Sequence, residues 1–173
     1  MRNLLVVVDM QNDFIDGSLG TKEAVAIVDN VIAEIAKYDT KDIFATRDTH
    51  PENYLETQEG KNLPVVHCVK GTDGWQINEK VKTALKDAVV IDKPTFGSKI
   101  LAEEITKIAE KEDITVTLVG LCTDICVVSN AILIKAYLLE IPVKVIASCC
   151  AGVTPESHEA ALATMRMCQV QVE

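Results

Sequence analysis

The sequence predicts an α/β protein: three layers, α/β/α, with a six-stranded and mostly parallel sheet in the middle. Three observations carry that expectation. Short apolar runs at residues 4–8, 88–91 and 115–119 read as strands buried on both faces. Stretches with apolar residues at helical spacing separate them. Strand–helix–strand alternation of this kind gives parallel pairing with right-handed crossovers. At 173 residues, one domain spanning 1–173 is the simplest organisation.

Residues 4–8 (LLVVV) stop abruptly at Asp9, as a central strand should. Residues 13–20 are rich in turn formers. Val25, Val28, Ile32 and Ile35 then recur at helical spacing through Tyr38. Residues 42–46 (DIFAT) form a second short strand, followed by Arg47, Asp48, Thr49, His50 and Pro51. From Pro51 to Gly74 the periodicity is lost, so this is a long structured loop, a common place for function. Residues 77–85 allow a short helix, and residues 88–91 a third strand that delivers Asp92, Lys93 and Pro94. Ser98 can cap a helix with an Ile100, Leu101, Ile105, Ile108 stripe. Residues 143–147 form a fifth strand. Thr154-Pro155 opens the last helix, and residues 168–172 (CQVQV) alternate like an edge strand.

The chain is organised around residues 115–128 (TVTLVGLCTDICVV): a strand ending at Gly120, a tight turn, and a helix with Cys126 in its first turn. Unpaired N–H groups and the dipole at a helix start favour negative charge. A thiol there is expected to be acidified, and the same N–H groups could stabilise an oxyanion beside the sulfur. Cys126 is therefore the candidate nucleophile; a buried structural cysteine is the alternative. In parallel sheets the site lies beyond the C-terminal strand ends. Asp9, Asp48, His50, Lys93 and Cys126 all arrive at that edge.

Composition limits the partners. The chain is 48% hydrophobic and 25% charged, which suits a packed core. A net charge of −9 argues against nucleic acid or an anionic membrane surface. No apolar run approaches a membrane span, and residues 4–8 are too short for a signal segment. The six cysteines contain no CxxC pair, so a reduced, cytoplasmic protein is expected.

Five motifs occur in order: Asp9-Met10-Gln11-Asn12-Asp13-Phe14, Thr46-Arg47-Asp48-Thr49-His50-Pro51, His67-Cys68-Val69-Lys70-Gly71-Thr72, Lys93-Pro94-Thr95-Phe96-Gly97-Ser98 and residues 120–127 (GLCTDICV). Together they resemble the isochorismatase-like cysteine hydrolases, within them the nicotinamidase/pyrazinamidase branch. The resemblance spans nearly the whole chain. It implies the isochorismatase-like hydrolase fold and an Asp-Lys-Cys triad, here Asp9, Lys93 and Cys126. Cys126 would attack an amide carbon, Asp9 would take and return a proton, and Lys93 would favour the thiolate. A strand-end carboxylate and an ordinary exposed lysine are the plainer readings of Asp9 and Lys93. The oxyanion would meet the backbone N–H groups of Cys122 and Cys126. The resemblance also implies a cis Leu121–Cys122 bond, with Thr123 and Asp124 bracing the turn.

The same branch carries a divalent metal that binds the pyridine nitrogen of its substrate. Asp48, His50 and His67 suit Zn²⁺, Fe²⁺ or Mn²⁺. The commonest family pattern has a third histidine in the intervening loop, but this chain holds only His50, His67 and His158. A carboxylate must then be the fourth ligand: Glu59 first, Glu56 or Glu52 as alternatives. Phe14, Leu19 and Phe96 are expected as pocket walls, with Cys122 beside them. Leu63 and Pro64 stand where relatives place an aromatic residue, and Trp75 is read as loop packing.

The resemblance thus implies a nicotinamidase of NAD salvage, releasing nicotinate and ammonia through a Cys thioester with one divalent ion. Its partner is a small-molecule amide. Alternatives are a related amidase on another amide or carbamoyl compound, whose members generally lack the metal cluster, or a non-catalytic binding module. Isochorismatase activity is less expected, because that branch lacks the cysteine. Residues 127–139 are apolar almost all round, which predicts a homo-oligomer.

Overall fold

The apolar run near the start of the chain forms the middle of the sheet. In the computed structural model, which describes residues 1–173, β1 (Arg2–Val8) pairs with strands on both sides. Its side chains alternate between two cores: Leu5 and Val7 enter one, Leu4, Val6 and Val8 the other. A strand covered on both faces needs this continuous apolar sequence rather than an alternating one.

Along the chain follow α1 (Asn12–Ile15), α2 (Lys22–Ile35), β2 (Ile43–Asp48), α3 (Gln58–Asn62), α4 (Glu79–Leu85), β3 (Val89–Lys93), α5 (Lys99–Ala109), β4 (Ile114–Leu121), a π-helical turn (Thr123–Val127), α6 (Val128–Tyr137), β5 (Val143–Ala151), α7 (Pro155–Met167) and β6 (Gln171–Val172). All six strands are parallel, in the order β3-β2-β1-β4-β5-β6. The first core buries α2 and α4, and the second buries α5, α6 and α7. The chain builds outward from β1 through β3, then returns beside β1 with β4. That reversal opens a crevice at the strand C-termini, where the site is expected. No helix is long and apolar enough to cross a membrane.

The predicted caps are present. Ser98 accepts from the Leu101 N–H, and Thr154 and Ser157 form a reciprocal capping box with Pro155 in the first turn of α7.

Several expectations need correction. Val25 and Ile100 face solvent; the buried faces are Ala24, Ile27, Val28, Val31 and Ile35 on α2, and Leu101, Ala102 and Ile105 on α5. Residues 51–74 contain α3 and a 3-10 turn at Tyr54–Glu56, and the turn-rich segment after Asp9 contains α1. β6 is only Gln171–Val172, because Cys168 caps the end of α7. α6 is not covered all round: Tyr137 and, just beyond its end, Leu139 are exposed.

β4 does not stop at Gly120. That glycine lies inside the strand at φ +116°, and a Cβ on it would sit 2.1 Å from the Val8 carbonyl oxygen. Close approach of β1, with a register shift against β5 between Leu118 and Gly120, demands the glycine there. What reads as a turn is a tight spot in the sheet.

Candidate active site

Each member of the expected triad is placed by a strand end or the start of a helix. Asp9 follows β1, and its Oδ1 accepts a 2.6 Å hydrogen bond from the Thr46 hydroxyl on β2. Lys93 ends β3, in register with Asp48 on β2, and its long side chain reaches across β2. Its ammonium lies 2.7 Å from Asp9 Oδ2, 3.3 Å from Cys126 Sγ and 3.5 Å from Asp48 Oδ1. It also donates to the Thr95 carbonyl at 3.2 Å. The Lys93–Asp9 approach has ion-pair distance but not hydrogen-bond alignment, so Asp9 Oδ2 is a buried acceptor without a donor. Asp9, Lys93 and Cys126 are 0%, 1% and 4% exposed, so these charges and the thiol meet almost wholly removed from bulk solvent.

Burial sets the electrostatics. It raises the Asp9 carboxyl above the usual range, and this outweighs the opposing charge of Lys93. Burial works against the charge on Lys93, but the neighbouring acidic groups, Asp9 foremost, outweigh it and hold the ammonium protonated. Burial pushes the Cys126 thiol well up, and the negative charge of Asp9 adds to it. The acidified thiol expected from a helix start is therefore not found. Desolvation, with Asp9, wins over the favourable charge of Lys93, and the resting sulfur keeps its proton.

Cys126 sits in the π-helical turn before α6, where the Ile125 and Val127 N–H groups both donate to the Cys122 carbonyl at 3.1 and 3.0 Å. The Leu121–Cys122 bond is cis, as the resemblance implied. Thr123 pairs its hydroxyl with His158 Nδ1 at 2.8 Å, and the Asp124 carboxylate accepts from the Val153 N–H. Both therefore brace the turn.

Beside the triad, donor atoms of Asp48, His50, Glu59 and His67 all lie within 4.8 Å of one another. Asp48 Oδ2 is 2.9 Å from His50 Nε2 and 3.7 Å from His67 Nε2, while Glu59 Oε1 is 3.7 and 3.8 Å from the same nitrogens. A four-coordinate ion with bonds of about 2.0–2.2 Å spaces its donors by roughly 3.4 Å, so this group fits a divalent metal. The Val65 carbonyl, 2.8 Å from His67 Nδ1, turns Nε2 toward the cluster. Of the three glutamates considered, only Glu59 joins: Glu52 and Glu56 are exposed, and Glu56 accepts from Asn53 instead. Burial works against charge on both Asp48 and His50. Their mutual hydrogen bond and the surrounding charges, Lys93 and the imidazoles for Asp48 and the carboxylates of Asp48 and Glu59 for His50, together outweigh it, leaving the Asp48 carboxyl lowered and the His50 imidazole raised.

Cys126 of the triad and Asp48, Glu59 and His67 of the metal group line one cavity of about 460 Å³, with Asp9, Lys93 and His50 behind them; Phe14, Leu19, Phe96 and Cys122 line it as expected, and so do Leu63 and Ile125. Phe96 is 46% exposed, so it stands at the mouth rather than deep in the wall. Trp75 stays outside the cavity. It donates to Thr49 and carries the Arg47 guanidinium 3.7 Å over its ring, which is the packing role read from sequence.

Residues 3–173 match the family model described as Isochorismatase domain. The chain belongs to the isochorismatase family. It is similar to the nicotinamidase/pyrazinamidase of Mycobacterium tuberculosis, 27% identical over 97% of this chain and 96% of that one. Among solved structures it resembles the pyrazinamidase of Pyrococcus horikoshii in complex with zinc, with TM-score 0.84, 28% identity and coverage of 100% and 99%. It also resembles the N-carbamoylsarcosine amidase of Thermoplasma acidophilum, with TM-score 0.76, 26% identity and coverage of 100% and 96%. The chain is an amidohydrolase of this family.

Within this isochorismatase-family site, three positioning side chains were missed in the sequence. Gln11, fully buried, accepts from the Asp48 N–H at 2.7 Å and donates to the Asp48 carbonyl at 2.8 Å. Asn130 donates to the Cys126 carbonyl at 2.8 Å and accepts from the Ser98 N–H at 2.9 Å, tying the nucleophile to the loop after Lys93. Asp13 accepts from the Cys68 N–H at 2.8 Å and so holds the residue after His67 at φ +46°. Glycine at position 74 leaves room for that carboxylate: a Cβ there would sit 2.1 Å from Asp13 Oδ2 and would displace it. A polar Asn inside an apolar helix pattern was the available signal for Asn130.

Proposed function

We propose that the chain hydrolyses nicotinamide, or the closely related pyrazinamide, to the carboxylate and ammonia. The observation that carries this reading is the convergence of Cys126, Asp48, Glu59 and His67 on one cavity wall, with Asp9 and Lys93 against the sulfur. Similarity to the nicotinamidase/pyrazinamidase and the zinc-bound pyrazinamidase supports it. A Zn²⁺, Fe²⁺ or Mn²⁺ ion held by Asp48, His50, Glu59 and His67 would supply a Lewis-acid position for a ring nitrogen.

In this reading Asp9 takes the proton of Cys126 as the sulfur bonds to the carboxamide carbon. A carboxyl raised by burial is a stronger base than an ordinary one, and Lys93 offsets the charge left on sulfur. The oxyanion meets the N–H groups of Cys122 and Cys126. Asp9 passes its proton to the departing nitrogen, ammonia leaves, and a thioester remains on Cys126. Asp9 then takes a proton from water as its oxygen adds to the carbonyl. Collapse releases the acid, and the sulfur regains its proton.

Ammonia release from nicotinamide, measured with a chelator and after metal add-back, tests the reading. Turnover that vanishes and returns supports it. No ammonia from the metal-loaded protein overturns it. A homo-oligomer remains part of the proposal, with the exposed Tyr137–Leu139 end of α6 as the covered face; a monomer in light scattering removes that part.

A further inference from the structure

α3 and Leu63, which caps its end, put four side chains on the cavity. Gln58 and Asn62 stand one helical turn apart, and Glu59 and Leu63 repeat that spacing beside them; all four line the pocket. Glu59 belongs to the metal group, but the reaction above uses neither amide. Both residues are solvent-exposed and line the cavity, where their amides are free to meet a ligand. With Leu63 and Phe96 they form an outer zone at the mouth, separate from the inner zone of Cys126, His67 and Phe14. The cavity volume of about 460 Å³ falls in the range of about 300–1,000 Å³ typical for drug-sized ligands, whereas nicotinamide is a single ring bearing one carboxamide.

We infer that this outer zone is a second subsite, built to take a neutral hydrogen-bonding substituent carried on the ring of the carboxamide substrate. The inference rests on the nicotinamidase reading. A pyridine-3-carboxamide has two anchors, the ring nitrogen and the carboxamide. Carbon 2 lies between them, so carbon 5, across the ring, points away from both and toward the mouth. Each amide offers both donors and an acceptor, which matches a hydroxyl or a second carboxamide. Leu63 and Phe96 cover the carbon that carries it. The net charge of −9 disfavours an anionic substituent.

The test compares kcat/KM for nicotinamide, 5-methylnicotinamide and 5-(hydroxymethyl)nicotinamide, using ammonia release by the metal-loaded protein. Each enzyme is its own control, so a general loss of activity divides out. The subsite predicts that wild type prefers hydroxymethyl over methyl, and that Gln58→Leu/Asn62→Leu lowers this ratio by about tenfold, the worth of one or two neutral hydrogen bonds. Leu63→Trp, which fills the mouth, should lower the ratio of 5-methylnicotinamide to nicotinamide by a similar factor. Ratios unchanged in both variants, with nicotinamide still turned over, overturn the subsite alone. No turnover of nicotinamide by wild type overturns the underlying reading and the subsite with it.

Discussion

The triad and the metal group meet where Lys93 Nζ lies 3.5 Å from Asp48 Oδ1, yet the fold holds them in different ways. Asp9 and Lys93 end strands, and Cys126 lies in the turn that leaves β4. Parallel strand ends bring Asp9 and Lys93 together, and the turn that follows β4, tied by Asn130 to the loop after Lys93, adds Cys126. The metal group has only Asp48 on a strand. His50, Glu59 and His67 belong to the long connection between β2 and α4, Glu59 on the short α3, and this connection is held by individual hydrogen bonds: the Val65 carbonyl to the His67 ring, the Cys68 N–H to Asp13, and Gln11 to the Asp48 backbone. One half of the site inherits the stability of the sheet; the other is assembled by polar contacts that a single substitution can undo.

Breaking the strand-borne half should have the largest effect. Cys126→Ala is expected to reduce ammonia release by about 10⁴-fold or more, since loss of a nucleophile leaves only the binding and oxyanion contributions. Lys93→Met should abolish turnover and also destabilise the protein by about 3–5 kcal/mol, because Asp9 is left buried without its partner. Equilibrium denaturation measures the second effect, and an unchanged midpoint would contradict the account of that pair.

The loop-borne half should yield more gently. Asp13→Ala is expected to weaken Zn²⁺ or Mn²⁺ binding by about 10–100-fold, as loss of an outer contact to a ligand segment does. Asp13→Asn keeps an acceptor oxygen and should recover most of that loss. Gly74→Ala, which drives a methyl into the Asp13 carboxylate, should resemble Asp13→Ala. Isothermal titration calorimetry with the metal alone reads all three, and equal affinities would show that the loop does not depend on this contact.

pH sharpens the contrast further. His50 is raised in the folded state, so its contribution to metal-free stability is complete below the ordinary histidine value of about 6.5 and is lost as pH rises through its folded value. Asp48 is lowered, so its contribution is present above about 3.9 and is lost as pH falls through its folded value. Metal binding needs neutral imidazole. It should therefore strengthen with rising pH over the same range in which the metal-free protein loses the His50 contribution. Chemical denaturation with and without metal should give opposite slopes there; parallel slopes would contradict it. The smallest expected effect is Thr123→Val, which removes one hydrogen bond to His158 at about 1 kcal/mol.

The same division explains what could be read from the chain. β1, β4 and the strand-end residues were legible because continuous apolar runs mark buried strands and their C-terminal ends mark the crevice. Gly120 misled, because its purpose is close approach to Val8 rather than a turn. The thiol's protonation was misjudged because helix-start chemistry is local, whereas the burial that decides it is tertiary. Glu59 could be ranked only by resemblance. Gln11 and Asp13 sat inside a quoted motif, but their partners, Asp48 and Cys68, are 37 and 55 residues away.

The central claim is that the carboxamide carbon passes through a bond to one sulfur. Metal-loaded enzyme quenched with acid during nicotinamide turnover, then weighed intact and mapped by peptide, tests it directly. The account predicts a nicotinoyl mass increment confined to the peptide carrying Cys126 and absent from Cys126→Ala. Rapid turnover with no such adduct and equal ammonia release from the variant would contradict it.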